Sequence, residues 1–267
     1  MRAFFLEIKG DYMGNEILFE VKNGCIAVIT INRPDQRNAI NAGVRDGLFA
    51  AWERFEAEPG LRVAILTGSG DRAFSAGADL KEMADNKTGV IPADYLPIIG
   101  ENVQVTKPVI AAVNGVAYAG GWRLAQMCDL CIASANASFG ILEARVGRGM
   151  PWAVPLINMI PQRIMMELLL TAQPISAQRA YEIGLVNHVV AQEQVLEKSI
   201  ELAQWIVDGA PLTISAAKEI VYLATEMGRT AALRAARHVF DRVYRSADAQ
   251  EGPAAFREKR KPNWRGE

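Results

Sequence analysis

Four short apolar runs, rich in β-branched residues, punctuate the first half of the chain. They are residues 25–32 (CIAVITIN), which stop at Arg33-Pro34; 62–68 (RVAILTG), which stop at Gly68; 108–115 (PVIAAVNG), which stop at Gly115; and 129–134 (DLCIAS). Hydrophobicity within them is nearly continuous rather than alternating. That pattern predicts strands buried on both faces, as in a parallel sheet covered by helices. Helical periodicity lies between them, over 41–57 with Asn41 as N-cap, and over 121–128. Beyond about residue 150 the strand signal stops. Helices are predicted at 162–171, at 176–184 with Ser176 as N-cap and Gly184 as terminator, at 192–208, at 212–227 and at 229–246. In the fourth of these, Ile214, Ala217, Val221 and Ala224 make one apolar stripe. The reading is an α/β core followed by an all-helical C-terminal third, with no internal repeat and no long linker.

The chain has 267 residues, of which 50% are hydrophobic and 22% charged, enough for a substantial core. A net charge of −1 gives no electrostatic case for nucleic acid or an anionic membrane as partner. The basic cluster at 257–265 (REKRKPNWR) reads as a solvated tail or as a phosphate or partner contact. The opening residues MRAFFLEIKGDYMGNEI carry charges early and hold no apolar run suited to a signal peptide, and no later segment reads as a membrane span. Three cysteines suggest a reducing compartment, read here as cytoplasmic. Cys128 and Cys131 form a C-x-x-C without a second pair, and His188 and His238 have no metal-ligand spacing. A buried strand with two small thiols is the expectation, with no metal site.

Two histidines assemble no Ser-His-Asp set, and there is no P-loop or G-x-G-x-x-G after a strand. Two glycine turns remain, 73–83 (AFSAGADLKEM) and 113–125 (VNGVAYAGGWRLA). Either alone is an ordinary turn. Together they offer two backbone N–H groups converging on one point, one of them where a helix begins, which is the layout of an oxyanion hole. Such a hole needs no particular side chains, in keeping with a site poor in His and Ser.

These turns, with INRPDQRNAIN at 31–41, SFGILEARVG at 138–147, ISAQRAYEIGLVNHVV at 175–190 and AFREKRKP at 255–262, resemble the crotonase superfamily of enoyl-CoA hydratases and isomerases over most of the chain. The resemblance implies a spiral of β-β-α turns over residues 1–200. It implies a helical region over 201–267 that supports trimers or dimers of trimers and touches CoA. It also implies an acyl-CoA substrate, with no cofactor beyond its CoA moiety. Carried over by position, Ala78 and Gly120 are the oxyanion-hole donors and Glu143 the acid/base. Asn38, Ala39, Ala76, Asp79, Leu80, Phe240 and Lys259 fall where the family approaches CoA, although Asp79 suits a turn and Phe240 a core position equally well.

The family's hydratases use two glutamates, and the chain departs from that pattern. Three residues after the central glycine of the turn stands Arg123, while Glu143 keeps the second position. Arginine stays protonated at any relevant pH and cannot act as a base. Glu143 alone can still carry a proton between two carbons, as in the family's single-glutamate isomerases and hydroxycinnamoyl-CoA hydratase-lyases. Three residues of helix turn the chain by about 300°, placing Arg123 near the pocket face. Three roles are open for it: an ion pair with Glu143, a bidentate contact to a substrate carboxylate, or a subunit contact with no part in catalysis. Pro151, which has no N–H, and Trp122 and Trp152, as pocket walls or as core, complete the candidates. The expected activity is that of an enoyl-CoA hydratase/isomerase, leaning toward isomerase or lyase chemistry. A CoA-thioester-binding protein and a thioester hydrolase are the alternatives.

Overall fold

A computed structural model describes residues 15–267; the opening stretch read above for a leader lies almost wholly outside the described residues. β1 (Ile17–Lys22) and β2 (Ile26–Ile31) form an antiparallel hairpin. α1 (Ala42–Ala57) begins at Asn41, whose side-chain oxygen accepts the Val44 N–H at 3.0 Å, as its sequence position predicts. There follow β3 (Val63–Gly68), β4 (Ala73–Ser75), α2 (Leu80–Asp85), β5 (Val109–Val113), β6 (Val116–Tyr118), α3 (Gly120–Gln126), β7 (Leu130–Ser134) and β8 (Ser138–Gly140). The remainder comprises α4 (Gln162–Thr171), β9 (Ile175–Ser176), α5 (Ala177–Glu182), β10 (His188–Val190), α6 (Val195–Val207), α7 (Pro211–Glu226), α8 (Arg229–Tyr244) and α9 (Asp248–Glu258).

Two sheets result. One runs β1-β2-β3-β5-β7-β10 and is parallel apart from β1; the other runs β4-β6-β8-β9, with β9 antiparallel. The chain steps from the first sheet to the second three times, β3 to β4, β5 to β6 and β7 to β8, before each helix or helical turn. This is the spiral of β-β-α turns that the resemblance implies.

The continuous apolar runs have a direct cause. Alternate residues of one strand enter different cores: Ala64 and Leu66 pack with Trp52 and Phe55 of α1, while Val63 and Ile65 pack with Leu202 and Ala203 of α6. A strand covered on both faces leaves little room for polar residues, and the buried Thr67 of β3 satisfies its hydroxyl by donating to the Ala112 carbonyl of β5.

Several expectations need correction. Strands do occur after residue 150, but β9 and β10 span two and three residues, too few to make a hydrophobic run. Cys131 sits in β7, whereas Cys128 lies in the turn after α3; both are buried, and burial pushes the Cys131 thiol up to about 12. The stripe on α7 is not buried in this chain: Ala217, Val221 and Ala224 are exposed, Val221 along a cavity wall, and the buried residue of the helix is Ala216, outside the stripe. The helix predicted over 229–246 is present as α8, and a further helix that was not predicted, α9, follows it. The basic C-terminus is not a free tail. Arg260 pairs with Glu251 and Glu258, the Trp264 indole donates to the Asp208 carbonyl, and Asp248 accepts the Arg265 and Gly266 N–H groups. Ser176 and Gly184 cap α5 as expected, and no helix among the described residues is long and apolar enough to cross a membrane.

Candidate active site

The two glycine turns meet at the ends of β4 and β6. Ile40 and Ala78 form a short parallel bridge in which the Ile40 N–H donates to the Gly77 carbonyl at 2.8 Å and the Asp79 N–H to the Ile40 carbonyl at 3.0 Å. Successive N–H groups along an extended segment point to opposite sides, so the Ala78 N–H faces away from Ile40. Gly77 lies in the left-handed region at φ +91°, and a Cβ there would come within 2.8 Å of the Tyr118 carbonyl oxygen. Across the gap, Ala119 holds φ +50°, a strained value for alanine, with its N–H donated to the Gly140 carbonyl at 2.9 Å. α3 then starts at Gly120, whose N–H is among those that a helix leaves unpaired at its start. Among the described residues neither the Ala78 nor the Gly120 N–H has an acceptor.

Both residues line a cavity of about 1200 Å³. Its wall is continued by Leu96, Ile98 and neighbours from 91–101, by Leu142 to Pro155 in part, and by Val221 and Tyr222 of α7.

Glu143 opens a short helical turn, Glu143–Arg145, in the cavity wall and is 7% exposed. The Trp152 indole N–H donates to its Oε1 at 3.1 Å, and Oε2 is buried without a partner. Burial pushes this carboxyl above the usual carboxylate range, against the opposing pull of the Trp152 and backbone hydrogen bonds. A raised carboxyl in a cavity wall suits proton transfer.

Arg123 also lines the cavity, but it does not pair with Glu143, which corrects one of its three expected roles. Its Nη2 donates to Glu101 Oε2 at 2.7 Å, and its side chain is only 16% exposed. Glu143 is held by Trp152 instead. Trp122 is no wall of this cavity; it is buried edge-on against Phe139, 5.8 Å between ring centroids. Pro151, Trp152, Ala76 and Leu80 do line it.

Asn38, Ala39, Asp79, Phe240 and Lys259 do not. The Asn38 side chain is fully buried, donating to the Ser69 and Ala73 carbonyls and accepting the Arg33 N–H. Asp79 caps α2 through the Lys81 and Glu82 N–H groups and pairs with Arg33 at 3.0 Å. Burial works to raise its carboxyl, but those contacts hold it below the ordinary range. Phe240 stacks obliquely with Tyr244 on α8, and Lys259 ends α9 in a left-handed cap.

Sequence reasoning passed over Glu101, Gln126 and Arg148. Gln126 lies three residues beyond Arg123 on α3, a spacing that announces a shared face. Its Nε2 donates to the Trp152 carbonyl at 3.2 Å, and its Oε1 is buried without a partner. Arg148 is held by the Thr88 and Gly89 carbonyls. Glu101 follows an aperiodic stretch and had no signal. Cys128, also in the wall, keeps its proton because burial raises it well above the ordinary thiol range, and its Sγ contacts the Leu124 carbonyl at 3.3 Å.

The sequence model of one family, enoyl-CoA hydratase/isomerase, matches residues 21–267. A carnitinyl-CoA dehydratase of Salmonella typhi is 40% identical over 262 residues, covering 94% of this chain and 99% of that relative. An enoyl-CoA hydratase structure from Mycobacterium marinum superposes with a TM-score of 0.88 at 37% identity, covering 95% of this chain and 100% of the other. One from Mycobacterium tuberculosis H37Rv gives 0.86 at 37% identity, with the same coverage.

Proposed function

The chain belongs to the enoyl-CoA hydratase/isomerase family, whose members act on CoA thioesters, and from that premise we propose that it forms and quenches a thioester enolate with one carboxylate. The Ala78 and Gly120 N–H groups receive the thioester oxygen. As a proton leaves the adjacent carbon, charge develops on that oxygen and two fixed donors stabilise it; losing one such donor costs roughly 3 kcal/mol, on the order of a hundredfold in rate. The proton goes to Glu143 Oε2. Two outcomes then need no second acid. Returned to the γ carbon, the proton shifts a double bond. Handed to a hydroxyl on the β carbon, it releases water and leaves an α,β-enoyl thioester.

The observation that carries this reading is the Glu143 carboxylate, held at Oε1 by Trp152 and buried without a partner at Oε2, in a cavity lined by Ala78 and Gly120. Arg123, tied to Glu101, supplies no second base. The dehydration branch has its own support: Gln126 Oε1 is a second buried acceptor without a partner, joined to Glu143 through Trp152, and suits a substrate hydroxyl. The dehydratase name of the Salmonella typhi relative points the same way. A hydratase-lyase, in which retro-aldol cleavage of a β-hydroxyacyl thioester releases an aldehyde and leaves a thioester enolate to be stabilised by the same two N–H groups and then protonated, is the other member of this class.

The test is solvent exchange. In D₂O, acyl-CoAs should take up deuterium at the α carbon with wild-type protein, and Glu143→Gln should abolish it. Exchange that persists in Glu143→Gln removes Glu143 from its role; tight acyl-CoA binding without exchange favours a binding protein, and release of free CoA a hydrolase. Assembly as a trimer or a dimer of trimers belongs to the same proposal. It is supported by Leu170, Leu233, Tyr244 and Phe256, which are large and exposed on the single chain. A single-chain mass in light scattering would remove it.

A further inference from the structure

We propose that Arg123 is the receptor for a carboxylate on the acyl group, and that Glu101 occupies it until such a substrate arrives. This rests on the reading that the thioester oxygen sits at Ala78 and Gly120. Arg123 stands three residues past Gly120 on α3, just under one helical turn and about 4.5 Å along the axis, so its guanidinium serves a group a few carbons from the thioester.

Its donors are mostly unspent. A guanidinium has five N–H groups. Among the described residues only Nη2 is engaged, by one oxygen of one carboxylate. The arrangement is not explained by support of the base, because Trp152 holds Glu143 Oε1 and Oε2 has no partner. A side chain 16% exposed in a largely apolar wall is costly to leave so thinly satisfied, and a bidentate carboxylate is the partner its fork fits best.

Glu101 is suited to yield. Its side chain is 53% exposed, so it re-enters water at little cost when displaced. The turn that carries it stands without the ion pair. Asn102 accepts the Ile98 N–H at 2.7 Å and donates to the Leu96 and Ala93 carbonyls, and the Glu101 N–H donates to the Ile98 carbonyl. Two further cations lie in the wall. Lys218 is neutralised by Asp129 at 2.9 Å, whereas Arg148, held by two carbonyls, has no carboxylate partner among the described residues. Displacing Glu101 therefore leaves two guanidiniums without a carboxylate partner in a wall whose other carboxylates are Glu143, Glu226 and the Lys218-paired Asp129.

The experiment is calorimetric binding of matched acyl-CoAs to the full chain, independent of turnover. Glutaryl-CoA and pentanoyl-CoA differ at the far end by a carboxylate. Glutaryl-CoA should bind at least about tenfold tighter, the scale of a charge-assisted hydrogen bond in a shielded site. Arg123→Gln should bring the two together, Arg123→Lys should keep part of the preference, and Glu101→Gln should tighten glutaryl-CoA alone by removing its competitor. Equal binding by wild type, a preference that survives Arg123→Gln in a protein folded by circular dichroism, or tighter binding of a trimethylammonium acyl-CoA such as carnitinyl-CoA overturns the proposal. If Arg123→Gln does not fold, Glu101→Gln decides, and no gain for glutaryl-CoA is a refutation. α-Deuteration of both thioesters is followed in parallel. Carboxylate preference without exchange upholds Arg123 while refuting the enolate reading; exchange without preference does the reverse.

Discussion

Glu143 and Trp152 form the smallest unit whose behaviour can be derived from its contacts. The indole N–H favours the ionised carboxylate, while burial disfavours it and prevails. Trp152→Phe removes the donor and keeps most of the bulk. The carboxyl should then titrate higher still, so the acid limb of the kcat/KM profile moves to higher pH, with KM for a simple acyl-CoA little changed. A profile that stays in place while activity falls would make Trp152 a packing residue only. Stability carries the opposite signature. The folded carboxyl titrates above its unfolded value, so its contribution is fully present below the unfolded pKa and is lost as pH rises through the folded one. Glu143→Gln should match wild type in acid and become relatively more stable toward neutral pH in thermal melts. The roles of Ala78, Gly120 and Glu143 were legible as proposals because each sits in a motif of fixed spacing. The partner of Arg123 was not, because Glu101 lies beyond a stretch with no periodic pattern, and a contact between residues 22 apart, with β5 and β6 between them, leaves no local trace.

α3 has seven residues, yet it places both Gly120 and Arg123, so its seat on β4 sets the site. A Cβ on Gly121 would run into the Ser75 carbonyl. Because that obstacle is backbone, relief requires α3 to move away from β4 and carry the Gly120 N–H away from Ala78. Gly121→Ala should therefore lower α-proton exchange on the order of a hundredfold, the scale of losing one oxyanion donor. Far-UV circular dichroism should remain that of a folded α/β protein; unchanged exchange would show that the gap tolerates the shift. Elements differ in how plainly the chain announces them. β2, β3, β5 and β7 fill two cores at once and so read as apolar runs. β4, β6 and β8 each have three residues and take their register from neighbours, which no window of hydrophobicity detects. They are the strands that end at the site, so the part of the fold that matters most to chemistry was visible only through its glycines.

At the scale of the molecule, the C-terminal helices are joined to the core through few polar anchors, and α7 shows the consequence. Asp129, at the end of the turn after α3, accepts the Val109 N–H at 2.8 Å, the Tyr222 hydroxyl at 3.0 Å and the Lys218 ammonium at 2.9 Å. Lys218 also donates to the Lys107 carbonyl. Burial, reinforced by the Asp129 charge, keeps the Tyr222 phenol well above its ordinary range, so it remains a neutral donor. One carboxylate thus ties a core strand to a helix whose Val221 and Tyr222 wall the cavity. Asp129→Asn keeps the shape but leaves Lys218, with its side chain 10% exposed, facing a neutral amide. Stripping one member from a largely buried pair is costly because the other charge stays behind; allowing for its partial exposure, about 2 kcal/mol is expected in urea denaturation. The loss should be uneven. Amide exchange over 211–226 should accelerate before that of β3 and β5, and acyl-CoA binding should weaken with it, since the wall loosens while the two donors at Ala78 and Gly120 stay in place. Uniform acceleration across the chain would mean that Asp129 supports the core as a whole, and that α7 is not a separately anchored side of the cavity.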